Sequence, residues 1–280
     1  MTVEEIVLEP MGPQHLDDAL ALSRQVGWPH RLADWELGFS ISRGVVAVGD
    51  HGVLGTILMT PYGETGATIN MVIVDGALRG RGLGRRLMEK ALELAGGRAI
   101  FLVATAEGLP LYEKLGFSAK DTIVQYQGVV RPKAAPSTVS WAKDEELASC
   151  RQLDRDAFGH DRSALMDRLC TLARFAVIRE GETVAAFAAI REFGRGFVIG
   201  PVVARTGEEA KDLIDYLLAQ HEGDFVRVDT LASADLTAWL MERGLVEVGG
   251  GVEMHRGQWR SVGTEPKRHH TFALVTQGMG

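Results

Sequence analysis

The stretch from Val72 to Met88 constrains this chain most. In it a β-branched apolar run, a glycine-rich turn and a helix follow one another without a gap. Val72-Ile73-Val74 stops at Asp75-Gly76, as a buried strand does. From Leu83 onward apolar residues recur at Leu87, Ala91 and Leu94, with Met88, Leu92 and Ala95 beside them, which is the spacing of one helical face. Gly96-Gly97 supplies the stop. A glycine turn that opens a helix leaves several backbone N–H groups unpaired and aimed at one point. Together with the positive end of the helix dipole, they suit a phosphate.

Two nucleotide-binding patterns fail here. A Walker-type loop ends in Gly-Lys-Ser/Thr, whereas Gly82 is followed by Leu83-Gly84. The dinucleotide pattern G-x-G-x-x-G, started at Gly80, meets Arg85 where its third glycine belongs. What remains is R-x-x-G-x-G at Arg79, Gly82 and Gly84. It resembles the pyrophosphate loop of the GNAT superfamily of acyl-CoA N-acyltransferases. On the loop alone, a glycine-rich turn with solvated arginines is the competing reading. A second stretch separates the two. A strand over residues 101–105 is followed by Pro110-Leu111-Tyr112-Glu113-Lys114-Leu115-Gly116-Phe117, with Pro110 suited to a first helical turn and Gly116 to a left-handed cap. In GNAT proteins "LYEKLGF" after a strand is the usual sequel to the loop.

At 280 residues the chain is long enough for two domains of ordinary size, and with 46% hydrophobic residues it has enough apolar surface for their cores. The N-terminus carries Glu4, Glu5 and Glu9 and no basic leader, so a signal peptide is not expected. No apolar run has membrane-spanning length. Cys150 and Cys170 match no metal or redox spacing, which leaves a reduced, cytoplasmic protein as the expectation. A net charge of −7 argues against nucleic acid as a partner, while the basic run Arg79 to Arg86 suits a small polyanion. Oligomeric state is not legible.

In chain order, helices are expected over residues 14–26 and 32–41, with a hairpin over 45–59 turning at Asp50-His51-Gly52. A turn at 63–66 leads into a strand over 67–74, and the order ends near Val130. The segment 131–137, Arg-Pro-Lys-Ala-Ala-Pro-Ser, reads as a linker. Residues 138–280 then repeat the first half in outline: hairpin strands at 175–179 and 184–190, a central strand at 197–204, a helix at 210–219, a strand at 225–230, and Trp239 to Leu245 over Leu111 to Phe117. The copy replaces the glycine loop with Arg205-Thr206-Gly207-Glu208-Glu209, whose carboxylates repel pyrophosphate, and Leu240 replaces Tyr112.

The whole resembles a bacterial GNAT subgroup with a catalytic N-terminal domain (1–130), a linker (131–137) and a degenerate C-terminal domain (138–280). Gly27-Trp28, Ala104-Thr105, Phe158-Gly159-His160-Asp161-Arg162, residues 199–204 and Phe272-Ala273-Leu274 carry that likeness. The fold it implies is α/β (α+β), with two tandem domains, each a mixed, mostly antiparallel sheet flanked by helices. The activity it implies is transfer of an acetyl group from acetyl-CoA to a primary amine of a small metabolite. A non-catalytic acyl-CoA-binding module and a peptide N-acetyltransferase are the alternatives.

By the same resemblance, Val72, Ile73 and Val74 pair with the pantetheine arm. Arg79, Gly80, Arg81, Gly82, Leu83, Gly84 and Arg85 hold the phosphates, and Tyr112 is the general acid. A packing tyrosine is the alternative for Tyr112. Trp28, His30, Trp35 and Asn70 are candidate acceptor-side residues, although tryptophans are more often core. Glu64, Asp75, Glu36 and His30 are possible bases, and Asn70 is not one. A water chain serves equally. His269-His270 lacks the further ligands of a metal site, so no metal is expected. Residues 271–275 are apolar enough to dock as a last strand beside the acceptor cleft.

Overall fold

A computed structural model describes residues 6–50, 52–131, 133–259 and 268–280. The readings that involve Glu4, Glu5, His51 and Pro132 lie outside these residues.

The first half runs β1 (Val7–Pro10), α1 (Leu16–Gln25), α2 (Leu32–Ser40), β2 (Arg43–Gly49), β3 (Gly52–Tyr62), β4 (Gly66–Val74), α3 (Leu83–Ala95), β5 (Ala99–Ala104), α4 (Leu109–Lys114) and β6 (Ser118–Val129). The second runs β7 (Val139–Trp141), α5 (Leu147–Phe158), α6 (Ser163–Leu172), β8 (Arg174–Glu180), β9 (Thr183–Phe193), β10 (Gly196–Ala204), α7 (Gly207–Ala219), β11 (Phe225–Leu231), α8 (Thr237–Glu242), β12 (Val246–Arg256) and β13 (His270–Ala273). Each half is a mixed, mostly antiparallel sheet flanked by helices. In α3 the face read from the sequence, Leu83, Leu87, Met88, Ala91 and Ala95, is buried on the sheet. That helix stops at Gly96, whose φ of +61° suits a residue without a side chain. Gly116 ends α4 in the same way at φ +84°.

The two sheets join edge to edge in the order β1-β2-β3-β4-β5-β12-β6-β11-β13-β10-β9-β8-β7. The halves have traded strands. β12, late in the second half, lies against β5 (Val252 opposite Ala104). β6, the last strand of the first half, lies against β11 (Arg227 opposite Gln127). β12 and β6 then pair with each other along the seam.

Two departures from regular pairing shape the first half. β4 and β5 run parallel only from Gly66–Ala99 to Thr68–Phe101, so beyond that point the β5-facing edge of β4 carries no strand. Against β3 the register slips between Thr56 and Leu58, and Met71 bulges out at φ +51°. Such a backbone is costly for a residue with a side chain, and the Thr56 hydroxyl donates to the Met71 carbonyl at 2.8 Å to hold it.

In the second half the corresponding opening between β10 and β11 is filled. They pair over Phe197–Ile199, and beyond that β13 enters between them, antiparallel to both. The approach is so close that a Cβ on Gly200 would fall 1.8 Å from the Leu274 carbonyl oxygen. The expected docking of residues 271–275 is this strand. No helix among the described residues is long and apolar enough to cross a membrane.

Candidate active site

The loop after β4 has the geometry that its glycines imply. Gly80 (φ +74°) and Gly82 (φ +85°) adopt left-handed backbone, and Gly82 is the residue before the first turn of α3. Among the described residues, no backbone N–H from Gly80 to Arg85 donates to a protein acceptor; the first bond into the helix is Arg86 N to Gly82 O, at 3.1 Å. These donors border a cavity of about 890 Å³. Val72, Ile73, Val74, Arg79, Gly80, Gly82, Leu83, Gly84 and Arg85 line it, whereas Arg81 does not. The Arg85 side chain turns back along the helix to Glu89, at 2.8 Å. Arg79 and Arg81 are exposed.

A second cavity, about 560 Å³, lies at the junction of the halves. Trp28, His30, Trp35 and Asn70 all line it. Trp35 is also core: fully buried, with its indole N–H donating to the Ser23 hydroxyl at 3.2 Å. Asn70 donates to the Thr60 hydroxyl at 3.0 Å. His30 packs edge-on between Trp28 and Phe193, and its buried Nδ1 has no hydrogen-bond partner among the described residues. Burial lowers its pKa to about 4, with Asp34 opposing and Arg227 and Arg191 assisting, so the imidazole is neutral at pH 7.

Trp28, Val72, Thr105 and Tyr112 line both cavities. Tyr112 is buried, its ring edge-on to Phe117, and among the described residues its hydroxyl has no hydrogen-bond partner. Burial pushes its pKa up to about 12, so it remains a protonated phenol. Gly108 backs the ring; a Cβ there would lie 2.7 Å from Cε2.

The other proposed bases are not brought into either cavity. Glu64 is exposed in the turn before β4, and Glu36 is exposed on α2. Asp75 accepts from the Ala77 N–H at 2.9 Å and so caps a turn. His269 donates from Nε2 to the Ala185 carbonyl at 3.0 Å, and His270 begins β13. Among the described residues no three His, Cys, Asp or Glu side chains are grouped to hold a metal.

Sequence reading missed the second half's share of the junction cavity. Arg191 and Phe193 of β9, Arg195, Arg227 of β11, and residues 276–279 all line it, beside Gln125 and Gln127 of the first half's β6. The tail is fastened from both sides. The Tyr62 hydroxyl donates to the Met279 carbonyl (2.6 Å), the Thr68 hydroxyl to that of Gly278 (3.2 Å), and Arg162 to those of Met279 and Gly280 (3.1 and 2.8 Å). Arg162 is itself buried against Asp154 at 2.7 Å.

The second half's loop is closed on itself. The Glu209 N–H donates to the Thr206 hydroxyl at 3.2 Å, and the Glu209 carboxylate accepts from the Arg205 N–H at 2.9 Å and from the Arg205 guanidinium.

Family comparison agrees with this layout. Models described as an acetyltransferase (GNAT) domain match residues 40–119 and, separately, residues 150–269. The chain belongs to the GNAT acetyltransferase family. This tandem GNAT chain is 28% identical to the "Uncharacterized N-acetyltransferase YitH" of Bacillus subtilis, over 99% of both chains. Its fold is similar to that of a putative acetyltransferase from Pyrococcus horikoshii (TM-score 0.82, 18% identity, covering 99% of this chain and 96% of that one). It is also similar to a tandem GNAT protein from the clavulanic acid biosynthesis pathway (TM-score 0.62, 16% identity, covering 91% and 100%).

Proposed function

We propose that this GNAT chain transfers an acetyl group from acetyl-CoA to a primary amine of a small metabolite, by direct attack within a ternary complex. The observation that carries the reading is the meeting of two cavities at Tyr112. The free N–H groups of residues 80–85 suit the pyrophosphate, and the unpaired edge of β4 offers Val72 to Val74 to the pantetheine arm. The arm then ends at Tyr112 and Val72, where the junction cavity delivers the amine. Acetyl-CoA supplies an activated thioester, and the chain's own part is mostly positioning, which can remove several kcal/mol of the barrier. The Tyr112 phenol donates its proton to the departing sulfur. His30, with a pKa near 4, is an unprotonated but weak base, so the ammonium proton passes to water.

In this reading residues 1–130 are the catalytic domain, 131–137 the linker, and 138–280 a degenerate domain that completes the acceptor cavity. A cavity of about 560 Å³, lined in part by the tail, favours a metabolite over a peptide. Cys150 and Cys170 are free thiols, in keeping with a cytoplasmic protein. Incubation with acetyl-CoA and a panel of amines, followed by free-thiol release, tests the proposal. Thiol release that depends on an amine is expected. Tight coenzyme binding with no release for any amine would leave only a binding module.

A further inference from the structure

The junction cavity is strongly asymmetric in charge. Its first-half wall is largely apolar, with Trp28, Leu58, Ile69 and Val72 around Tyr112. The second half contributes three arginines to the lining, Arg191, Arg195 and Arg227, and the one carboxylate among the lining residues, Asp34, comes from α2 of the first half. Asp34 has no capacity left for a ligand. It accepts from the Arg31 N–H (2.9 Å), the Gly194 N–H (3.1 Å) and Arg191 (3.3 Å). Burial raises its carboxyl, but the hydrogen bonds from Arg31 and Gly194 outweigh that and hold it below the ordinary carboxylate range.

Arg227 is paired from behind by Asp229, at 2.8 Å. Asp229 is fully buried and does not line the cavity. Arg195 is the exception. It is exposed, it makes no ion pair among the described residues, and its guanidinium stands over the Phe225 ring at 4.8 Å. Arg191 contributes a buried Nε with no hydrogen-bond partner among the described residues. Three cations thus face two carboxylates, and one cation has none of its own.

A simple alkylammonium entering this cavity meets net positive charge behind low-dielectric walls, which disfavours it. An amine that also carries an anion has the opposite balance. We propose that the acceptor bears an oxyanion, a carboxylate or a phosphate, at the end remote from its amine. Arg195, with Arg227 on the same cavity, holds that group and so presents the amine to Tyr112. This rests on the junction cavity being the acceptor site. Guanidinium groups hold such oxyanions through paired charge-assisted hydrogen bonds.

The test uses the full chain, with coenzyme A present for binding and acetyl-CoA for turnover. Its probes are ω-amino acids (β-alanine and 4-aminobutyrate) and O-phosphoethanolamine, each beside its less anionic counterpart, the ω-amino-acid amide or ethanolamine. Binding is followed by calorimetry and turnover by thiol release. The anionic member of a pair is expected to bind about tenfold or more tightly, the scale of a charged hydrogen bond. Arg195→Gln should erase that preference, raising KM with kcat nearly unchanged, and Arg195→Lys should restore part of it. The carboxylate and phosphate arms show which oxyanion fits. The non-anionic member preferred in both measurements, a preference untouched in the Gln variant, or no anionic probe bound at millimolar concentration would each overturn the proposal. Anion-dependent binding without thiol release would instead sink the acetyl-transfer reading and leave this one standing.

Discussion

Tyr112 and His30 both stand on the cavity walls, and burial drives their titrations in opposite directions. With a pKa pushed up to about 12, the Tyr112 phenol holds its proton at any working pH and can only donate. Tyr112→Phe should lower kcat by about 10²-fold, the scale of a lost general acid, with KM for acetyl-CoA nearly constant. Because the hydroxyl has no protein partner among the described residues, the melting temperature should hardly move; a large drop in Tm with kcat intact would make it a packing residue. His30 behaves in the reverse sense. Its folded pKa, about 4, lies below its unfolded value of 6.5, so the unfolded chain takes up the proton first. Its contribution to stability is therefore full above pH 6.5 and is lost as pH falls towards 4. Melting curves from pH 7.5 to 4.5 should fall less steeply for His30→Asn than for the parent. Parallel curves would show that His30 is not held neutral.

At the scale of elements, the two strand–loop–helix units began from one plan and differ in what fills them. In the first, the helix-start donors are free and the edge of β4 is open; in the second, Thr206 and Glu209 use the donors and β13 fills the slot. One acetyl-CoA per chain is therefore expected by calorimetric titration. Gly82→Asp should abolish it, since the carboxylate would sit where phosphate is needed. The fold should survive, because a Cβ at Gly82 meets nothing within 4 Å and Asp tolerates left-handed backbone better than most residues. Unchanged affinity in the folded variant would move the coenzyme site elsewhere. Much of this unit was legible in the sequence, because Arg79, Gly82, Gly84 and the helical face of α3 act through local backbone geometry. Arg191, Arg195 and Arg227 were not legible. Isolated arginines form no pattern, and only long-range pairing brings them to the cavity that Tyr112 also lines. The tail was half legible: apolar residues 271–275 announced a docking strand, but nothing local said which slot it fills.

The whole molecule is held by an exchange that its internal repeat conceals. Each half completes its sheet with a strand of the other, and the tail is pinned by Tyr62 and Thr68 from one side and Arg162 from the other. Neither half buries its core alone. Denaturant unfolding should accordingly show one transition, coincident by tryptophan fluorescence and by circular dichroism, despite a length that suggests two. Two separated transitions would mean that the seam between β6 and β12 is weak.

The same seam bears on how such a chain could arise. Two copies of an ancestral single unit that swapped their last long strands would already have this layout as a homodimer. Joining them end to end makes the pairing intramolecular and fixes it at high effective concentration. Once joined, the copies are no longer bound to stay alike. One can let its loop decay while still lending a strand and a cavity wall to its sister, and a duplicate with a disabled loop is kept as the missing part of the half that retains it.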